Sequence, residues 1–572
     1  MHGEAPSPRS VSLLSGVMDR SSIVRRHGLL WLGLAAFVAA IVFVNPLRDM
    51  PLEDDWAYAW SVERLLETGR FEAHDWAAAN PLLLVYWGWL VSTLFGFSFA
   101  VLRASTLVLA VVGWVAFYFL AKHHGLDNDE AGVLALALFA SPLVFRFSLN
   151  FMSDVPFLVS LIVALLLYSQ AIRRESVPLM ALASLAAAGA VLTRQFGVAL
   201  IGGLVLKWAL DRNRQRWLLL CVLGLALPVA ATVWQLAYGL GSPSWGMRYN
   251  MLAQRLYLAK PWLVAAAVPW RLTVVMEYLA FFALPFVLVA AGSLIGELRG
   301  DREPTPPRAG FSGTTGLTIL AVAVVAGLLY GRIIYGHSLY IPYMDGHFDD
   351  LRDFVPCARR ELSLLTSAGA LLFVRIFILR YRRLAGPGEG GVSEWLLDLV
   401  TLLLLVFHMV FFNFWDEYLL VFLPYVLIVV GRHVSRTSRR FRSSLVIACL
   451  VMLGVSAMWT RGILEREEAL WSGAEALRRE GIAPQQIYGY WTWNGYYTFQ
   501  DYLADIGNRT LGDISDYFER WVPERMRNAQ FVLADGLNKP NDRTMEVIKE
   551  IPYRNALFEE RRVFVLKRKP PE

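Results

Sequence analysis

The sequence predicts a polytopic α-helical membrane protein that carries a small α/β domain after its last span. Hydrophobic residues make up 56% of the 572 residues and charged residues only 18%. The apolar residues fall in runs of about 17 to 25, which is the length of helix that crosses the hydrocarbon core of a bilayer. The last part of the chain has the composition of an ordinary soluble domain instead.

Fourteen apolar runs are candidate spans. They cover residues 28–46, 81–97, 100–121, 129–149, 154–172, 178–192, 196–210, 217–238, 272–296, 315–335, 361–380, 395–413, 417–431 and 441–460. If all fourteen cross, the basic loops scatter to both faces. If the run 81–97 lies in the interface, as its Trp and Tyr side chains permit, about thirteen spans remain and the basic loops sort to one face. The positive-inside rule makes that face cytoplasmic, so we expect interfacial helices in the first outer loop.

This topology divides the chain into a cytoplasmic tail at 1–27, a transmembrane domain at 28–460 and an extracytoplasmic α/β domain at 461–572. We expect a multi-pass protein of the inner (plasma) membrane whose first span is retained, because no small-residue cleavage site follows it. The third part is predicted to hold an amphipathic helix and three strands. These are the helix Arg461–Glu480, which stops at Gly481, and the strands Ile487–Trp491, Gln530–Ala534 and Arg562–Lys567.

Aromatic residues crowd the segment 488–502 of the C-terminal part. They are Tyr488, Tyr490, Trp491, Trp493, Tyr496, Tyr497, Phe499 and Tyr502. One interpretation is core packing together with contact to the membrane surface. The other is a surface on which sugar rings stack.

Several function classes are excluded by composition. The net charge of +6 sits in short loops between apolar runs, so topology explains it and no nucleic-acid partner is expected. Three cysteines, two of them inside apolar runs, indicate neither a disulfide framework nor a thiolate metal site. The sequence contains no Walker A or HExxH pattern.

Acidic residues cluster directly after the first apolar run, as Glu53, Asp54 and Asp55. The pattern predicts a helix from these acids to about Thr68 that stops at Gly69. A structural interpretation is that the acids only cap this helix. The thirteen-span layout, however, brings Asp154 to the same extracytoplasmic face, and carboxylates in a membrane bundle are costly unless they line a shared aqueous cavity.

The stretch Asp54-Asp55, Tyr58-Ala59 and Gly69 resembles the first outer loop of the GT-C glycosyltransferases that use polyprenyl-phosphate sugars. That group contains the lipid A aminoarabinose transferase and the protein O-mannosyltransferases. The segment from Asn80-Pro81 to Arg103 is similar to the family's juxtamembrane helix, and Met152-Ser153-Asp154-Val155-Pro156 resembles its second acidic motif. The resemblance is specific over residues 28–210, and it implies a GT-C-like fold and a polyprenyl-phosphate-linked sugar donor.

Transfer from such a donor needs a base for the acceptor hydroxyl, because phosphate is already a good leaving group. Our choice is Asp54, giving direct displacement with inversion and a rate contribution of roughly 10²- to 10⁴-fold. Asp55 and Asp154 are expected to position the acceptor or to hold the base. A glycosidase with two catalytic carboxylates is disfavoured, because water-soluble sugars require no such membrane domain.

The lipid phosphate calls for cations on the outer face. Seven residues qualify by topology, with Arg194 the first choice because it lies in a turn between two short spans. They are Arg194, Arg248, Arg255, Lys260, Arg271, Arg332 and Arg352. An interfacial arginine that merely snorkels is the alternative for Arg194.

No cofactor is firmly predicted, although a divalent metal ion is a candidate in the loop 335–350, which holds His337, Asp345, His347, Asp349 and Asp350. Because the ligand spacing is not tight, a solvated loop is the favoured interpretation. His408, inside a span, is predicted to be a packed or hydrogen-bonded helix residue.

The predicted function is therefore that of an integral-membrane glycosyltransferase whose partners are a polyprenyl-phosphate-linked sugar, a cell-envelope glycan, lipid or protein acceptor, and the bilayer. A lipid or sugar transporter is the alternative; that class favours broken helices with charges at mid-membrane. A third hypothesis is a glycan-binding scaffold that uses the aromatic tail segment.

Overall fold

The computed structural model describes residues 27–77, 80–211, 214–241, 244–289, 366–377, 380, 395–412, 414–435, 440–506, 526–536 and 544–570. Most of this chain is helical. The helices are α1 (Gly28–Val44), α2 (Asp55–Thr68), α3 (Leu82–Phe95), α4 (Phe99–His123), α5 (Asn128–Ala140), α6 (Pro142–Phe147), α7 (Asp154–Arg174), α8 (Val177–Thr193), α9 (Val198–Leu210), α10 (Leu218–Gly241), α11 (Trp245–Leu258), α12 (Pro261–Phe282), α13 (Thr366–Phe377), α14 (Trp395–Val410), α15 (Leu423–Ser435), α16 (Arg440–Arg479) and α17 (Tyr490–Ile506). Short 3₁₀ turns lie at Gln195–Gly197, Asp416–Phe422 and Pro484–Gln486.

Five of the described helices are long and apolar enough to cross a membrane, namely α4, α7, α10, α12 and α16. Their surfaces carry exposed apolar side chains such as Val108, Leu219 and Val233, which suits contact with lipid tails. Shorter apolar helices include α1, α3, α8, α9, α13 and α14. The polytopic helical class is thus confirmed, whereas the number of about thirteen spans stays a prediction.

The bundle is built by neighbours along the chain and by α16. Helix α7 packs on α4 and α8, α8 packs on α10, and α9 packs on α14. Helix α16 lies against α1, α5 and α6. One continuous core of Leu, Val, Phe and Ala side chains runs through these contacts. The loop between α1 and α4, which contains α2 and α3, is therefore supported by a tightly packed helical bundle.

Helix α2 begins and ends where the sequence predicts. Asp54 is its N-cap residue and Gly69 its C-cap residue, with φ = +67° at the glycine. The N–H of Gly69 donates to the carbonyl of Leu65 at 3.0 Å, which closes the helix in the left-handed conformation that glycine adopts without strain.

Helix α16 differs from its prediction. The predicted helix Arg461–Glu480 is helical as far as Arg479, but it does not start at Arg461, because the last apolar run and the amphipathic segment form one helix of 40 residues. Gly462 does not break it. A Cβ there would lie 2.4 Å from the backbone N of Ala556, so the glycine permits close approach of the turn between the last two strands.

The C-terminal part contains a four-stranded sheet in the order β1-β2-β4-β3. Strand β1 (Ile487–Tyr488) pairs parallel with β2 (Phe531–Asp535), whereas β4 (Glu560–Arg568) pairs antiparallel with both β2 and β3 (Met545–Arg554). Helix α16 covers one face through Leu470, Ala474 and Leu477.

Two strands confirm the prediction and two correct it. Strand β1 ends at Tyr488 rather than Trp491, since Tyr490 adopts φ = +70° and starts α17. Strand β3 was not predicted, because it lies at the sheet edge, is mostly exposed and contains Pro552 and several charged residues, as edge strands often do.

Candidate active site

Asp54 lies at the N-cap of α2, and its half-buried carboxylate faces the C-terminal part of the chain. The indole Nε1 of Trp491, in the first turn of α17, donates to Asp54 Oδ1 at 2.9 Å. Helix α17 can approach α2 this closely because Gly495 packs on Trp56, where a Cβ would lie 2.4 Å from the indole. The carboxylate that the sequence predicts as the base is therefore held by a residue whose role the sequence analysis did not predict.

Asp55 is buried and accepts hydrogen bonds from two backbone N–H groups. Its Oδ1 accepts from the N–H of Leu52 at 2.7 Å and its Oδ2 from the N–H of Phe151 at 3.3 Å. Burial raises the pKa of Asp55 to about 7, although Arg103 lies 3.9 Å away and opposes the shift. Asp55 thus ties the loop that carries Asp54 to the loop that precedes α7.

Arg103 on α4 holds the segment between α1 and α2 in place. Its guanidinium, which is fully buried, donates to the carbonyls of Pro46, Arg48 and Met50 at 2.7 to 2.8 Å. A charged donor that satisfies three carbonyls offsets part of its desolvation cost. The residues between α1 and α2 are therefore held as a defined turn.

Glu53, the third acid of the cluster, forms an ion pair with Arg146 of α6. It adopts φ = +58°, a left-handed conformation that is uncommon outside glycine and asparagine. The Arg146 guanidinium also stacks on Trp459 of α16 at 5.2 Å. This pair fastens the acidic turn to the bundle, and we expect no catalytic task for it.

Asp154 starts α7 and lies 2.8 Å from Nη2 of Arg194, the C-cap residue of α8. The Nε of Arg194 donates to Ser153 Oγ at 2.8 Å, and its guanidinium stacks on Tyr418 at 5.1 Å. Both members of the pair are largely buried. The structure thus brings together two predicted site residues, Asp154 and Arg194, as a buried ion pair.

Tyr58 links the two carboxylate sites. It lies one helical turn after Asp54, interacts electrostatically with Arg194, Asp154 and Asp54, and hydrogen-bonds Ser153. Burial raises the pKa of its phenol to about 12, so it remains a neutral hydrogen-bonding group at physiological pH. Tyr58 is not among the predicted site residues, although its spacing from Asp54 places both on one face of α2.

An aromatic cluster walls the site on the side of α17. His74 is buried among Trp56, Trp60 and Phe499, with ring centroids 4.9 to 5.5 Å apart. Burial lowers the pKa of His74 to about 3, so the imidazole is neutral, and its Nδ1 accepts from the N–H of Trp76 at 3.0 Å. The crowded aromatic segment that the sequence analysis singled out therefore packs against the acidic loop.

Helix α11 carries three of the predicted phosphate ligands, Arg248, Arg255 and, just past its end, Lys260. All three side chains are exposed, and none forms an ion pair with another residue in the described ranges. The helix is anchored at its start, where the N–H of Trp245 donates to Asp75 Oδ1 at 2.8 Å. These cations are free to meet an anion from solvent or from the membrane surface.

Arg271 has a different task from the one that topology suggested. Its guanidinium is buried and donates to the carbonyls that end α14. The acceptors are His408, Met409, Phe411 and Phe412. An arginine at a helix C-terminus is a favourable cap, so Arg271 is engaged in structure. Arg332 and Arg352 lie outside the described residues.

No group of three or more metal-ligating side chains occurs within the ranges that the structure describes. The candidate metal loop 335–350 lies outside those ranges. His408 is buried, lies 2.6 Å from the carbonyl of Leu404 through Nδ1 and stacks on Phe196 at 4.6 Å. This confirms the prediction of a packed, hydrogen-bonded helix residue.

Residues 79–235 match the family model described as dolichyl-phosphate-mannose-protein mannosyltransferase. This match confirms the predicted resemblance to the GT-C glycosyltransferases. The matched segment contains Asp154 and Arg194 and begins after Asp54. No curated protein matches the chain.

Solved structures resemble most of the chain at low identity. ArnT from Cupriavidus metallidurans bound to undecaprenyl phosphate is 16% identical, with a TM-score of 0.42 over 95% of this chain and 99% of that chain. The Archaeoglobus fulgidus oligosaccharyltransferase in complex with Zn and sulfate is 14% identical, with a TM-score of 0.42 over 87% of this chain and 68% of that chain. At such identities and scores the likeness assigns no residue a role.

Proposed function

We propose that this protein is an integral-membrane, inverting glycosyltransferase. It moves a sugar from a polyprenyl-phosphate carrier to a glycan, lipid or protein of the cell envelope, on the extracytoplasmic face. The observation that carries the proposal is the Asp54 carboxylate at the N-cap of α2, held by Trp491 and flanked by Tyr58 and the Asp154–Arg194 pair. The match to a mannosyltransferase family that uses a lipid-phosphate sugar supports the donor class.

The reaction step needs one base. Asp54 takes the proton of the acceptor hydroxyl while the acceptor oxygen attacks the anomeric carbon of the donor sugar. The bond from that carbon to the phosphate oxygen breaks, and polyprenyl phosphate leaves with the electron pair. Because attack and departure occur on opposite faces of the carbon, the configuration inverts. The indole donor on Asp54 Oδ1 orients the carboxylate that accepts the proton.

Asp55 and Asp154 act by positioning in this proposal. Asp55 holds the turn through two backbone N–H groups, which fixes where Asp54 sits. Asp154 holds Arg194 in an ion pair. Tyr58 interacts with this pair and also with Asp54, the proposed base. Preorganised groups of this kind need no rearrangement at the moment of reaction.

The donor phosphate binds to the exposed cations of α11 in this proposal. The start of α11 is near the base, since Trp76 follows Asp75 and stacks edge-on against Trp491 at 5.1 Å. The later part of α11 reaches the Arg194 turn, because Gln254 hydrogen-bonds the segment 410–412, whose Phe411 contacts Phe196. The exposed Arg248 and Arg255 therefore lie along a path between the two halves of the site, whereas the charge of Arg194 is balanced by Asp154.

The proposal also sets an orientation, with the acidic loop and the C-terminal domain outside and the basic loops in the cytoplasm. Reporter tags at residues 215 and 480 should fall on opposite sides of the membrane. Tags on the same side would contradict an outward-facing site.

The experiment that tests the function is transfer of radiolabelled sugar from polyprenyl-phosphate sugars to envelope material, in membranes with wild type or Asp54→Asn at equal abundance. The substitution keeps the shape of the side chain and removes the base. We expect the variant rate to be less than about a hundredth of the wild-type rate. Glu67→Gln, an exposed carboxylate on the same helix that pairs with Arg64, is the matched control and should retain full activity.

Equal transfer by wild type and Asp54→Asn would show that the base is elsewhere, and Asp154→Asn would be tested next. Absence of covalent product with every donor, together with substrate flux into liposomes, would replace the transferase by the transporter hypothesis.

A further inference from the structure

A cleft of about 400 Å³ opens between the outer loop of the membrane domain and the helices α16 and α17. Its volume is that of a small-molecule site. The lining comes from four segments of the chain. The residues that bear on its chemistry are Asp49, Glu468, Trp471, Ser472, Arg479, Tyr496 and Tyr497.

Three aromatic rings form the apolar wall of the cleft. Trp471 and Tyr497 stack with centroids 5.9 Å apart and an interplanar angle of 25°, and Tyr496 stands at 89° to Tyr497. Both tyrosine hydroxyls are anchored, that of Tyr496 by Glu63 at 2.8 Å and that of Tyr497 by Glu475. The rings are therefore held in place, and each keeps a partly exposed surface.

The polar wall offers acceptors more than cations. Asp49 is exposed and uses Oδ1 to cap the N–H of Phe99 at 2.9 Å. Glu468 is 52% exposed and pairs with Arg48 at 2.5 Å. Arg479 supplies the one guanidinium among the lining residues. A phosphate would meet more carboxylates than cations here, which disfavours its binding.

The chemistry that fits is a sugar ring. Pyranose rings present apolar C–H faces that pack on aromatic rings and hydroxyl edges that donate to carboxylates, and pockets of this kind combine aromatic walls with a few polar groups. Helix α17 contributes both to the cleft and to the surroundings of the proposed base. Helix α17 carries Trp491 at Asp54 and, five residues later, Tyr496 at the cleft, a separation of about 7.5 Å along the helix axis.

We propose that this cleft binds carbohydrate and holds part of a glycan acceptor next to Asp54. The assignment of the sugar as the acceptor rests on the proposed function, whereas binding itself requires no turnover. The acceptor must then contain several sugar units, because one unit occupies the cleft while another reaches the base.

The test uses the purified full-length chain in lipid nanodiscs and a panel of neutral hexose and hexosamine trisaccharides, with binding followed by saturation-transfer NMR. Ser472→Trp fills the cleft from an exposed position on α16, so we expect it to weaken trisaccharide binding about tenfold or more. Glu480→Trp, which places the same side chain at an exposed position outside the lining, is the matched control and should bind as wild type does. Arg479→Trp fills the cleft from a second exposed position, so the test remains valid if the first variant does not fold.

Three outcomes would overturn the proposal: no member of the panel binds wild type, both plugged variants bind with wild-type affinity, or inorganic phosphate displaces the sugar competitively. Asp54→Asn should bind the trisaccharide with wild-type affinity. A failure of the transferase proposal would therefore appear in the transfer assay alone, and a failure of the cleft proposal in the binding assay alone.

Discussion

The indole of Trp491 donates a hydrogen bond to the carboxylate of Asp54 at 2.9 Å, across 437 positions of the chain. The donor comes from the first turn of a helix in the C-terminal part, and the acceptor from the first loop after the initial apolar helix. The C-terminal part is thus a component of the candidate active site, and its aromatic helix sets the orientation of the proposed base.

Trp491→Phe keeps an aromatic ring against Trp76 and removes the donor. Because an N–H donor favours the ionised carboxylate, its loss should move the acid limb of the kcat/KM profile to higher pH and lower kcat about tenfold at neutral pH. The measurement is the pH–rate profile of sugar transfer.

Trp493→Phe is the matched control, since Trp493 lies on the same helix and its indole donates to Glu475 rather than to Asp54. Its acid limb should coincide with that of wild type. An unshifted limb in Trp491→Phe would mean that this hydrogen bond does not tune the base.

The Asp154–Arg194 pair should show strong coupling. Asp154→Leu leaves the Arg194 guanidinium buried without its carboxylate, and Arg194→Met leaves Asp154 alone, so each single variant should lose about 3 to 5 kcal/mol of stability. The double variant should be more stable than either single one. A double-mutant cycle on thermal stability in nanodiscs measures this, and strictly additive losses would contradict coupling through the pair.

The exposed cations of α11 should affect donor binding more than chemistry. Arg248→Ala and Arg255→Ala each remove a charge that meets the lipid phosphate, so the KM for the polyprenyl-phosphate sugar should rise about tenfold with a smaller change in kcat. Lys549→Ala, an exposed cation on β3, should leave both constants unchanged. Wild-type KM in both α11 variants would place the phosphate elsewhere.

Asp55 should give the protein a pH-dependent stability. Burial raises the pKa of Asp55 from 3.8 to about 7, so between these values the folded state keeps a proton that the unfolded state releases. The contribution of Asp55 to the free energy of unfolding therefore falls by up to about 4 kcal/mol as the pH rises from about 4 to about 7. It is constant at higher pH. In Asp55→Asn this slope is absent.

The measurement is the difference in thermal midpoint between Asp55→Asn and wild type, taken at about pH 5 and about pH 7. The difference should move in favour of the variant at the higher pH, because only wild type then carries the cost of the buried charge. A difference that is the same at both values would show that Asp55 titrates normally. Glu67→Gln should show no such trend.

Several features could be predicted from the sequence because they depend on neighbours in the chain. Helix α2 starts at its acids and stops at Gly69, as local capping requires. Strands β2 and β4 lie where short apolar runs predicted them. Asp154 and Arg194 could both be proposed as site residues, since each occupies the polar end of an apolar helix.

Periodicity, capping and the cost of charge in lipid predict the membrane class, the capped acidic helix and the candidate residues at helix ends. Which of those residues meet depends on the tertiary structure. It paired Asp154 with Arg194, assigned Asp55 to two backbone N–H groups, engaged Arg271 at the end of α14, and brought Trp491 to Asp54. The physical reason is that such contacts depend on how distant elements pack against each other, and packing is a property of the whole core rather than of any local pattern.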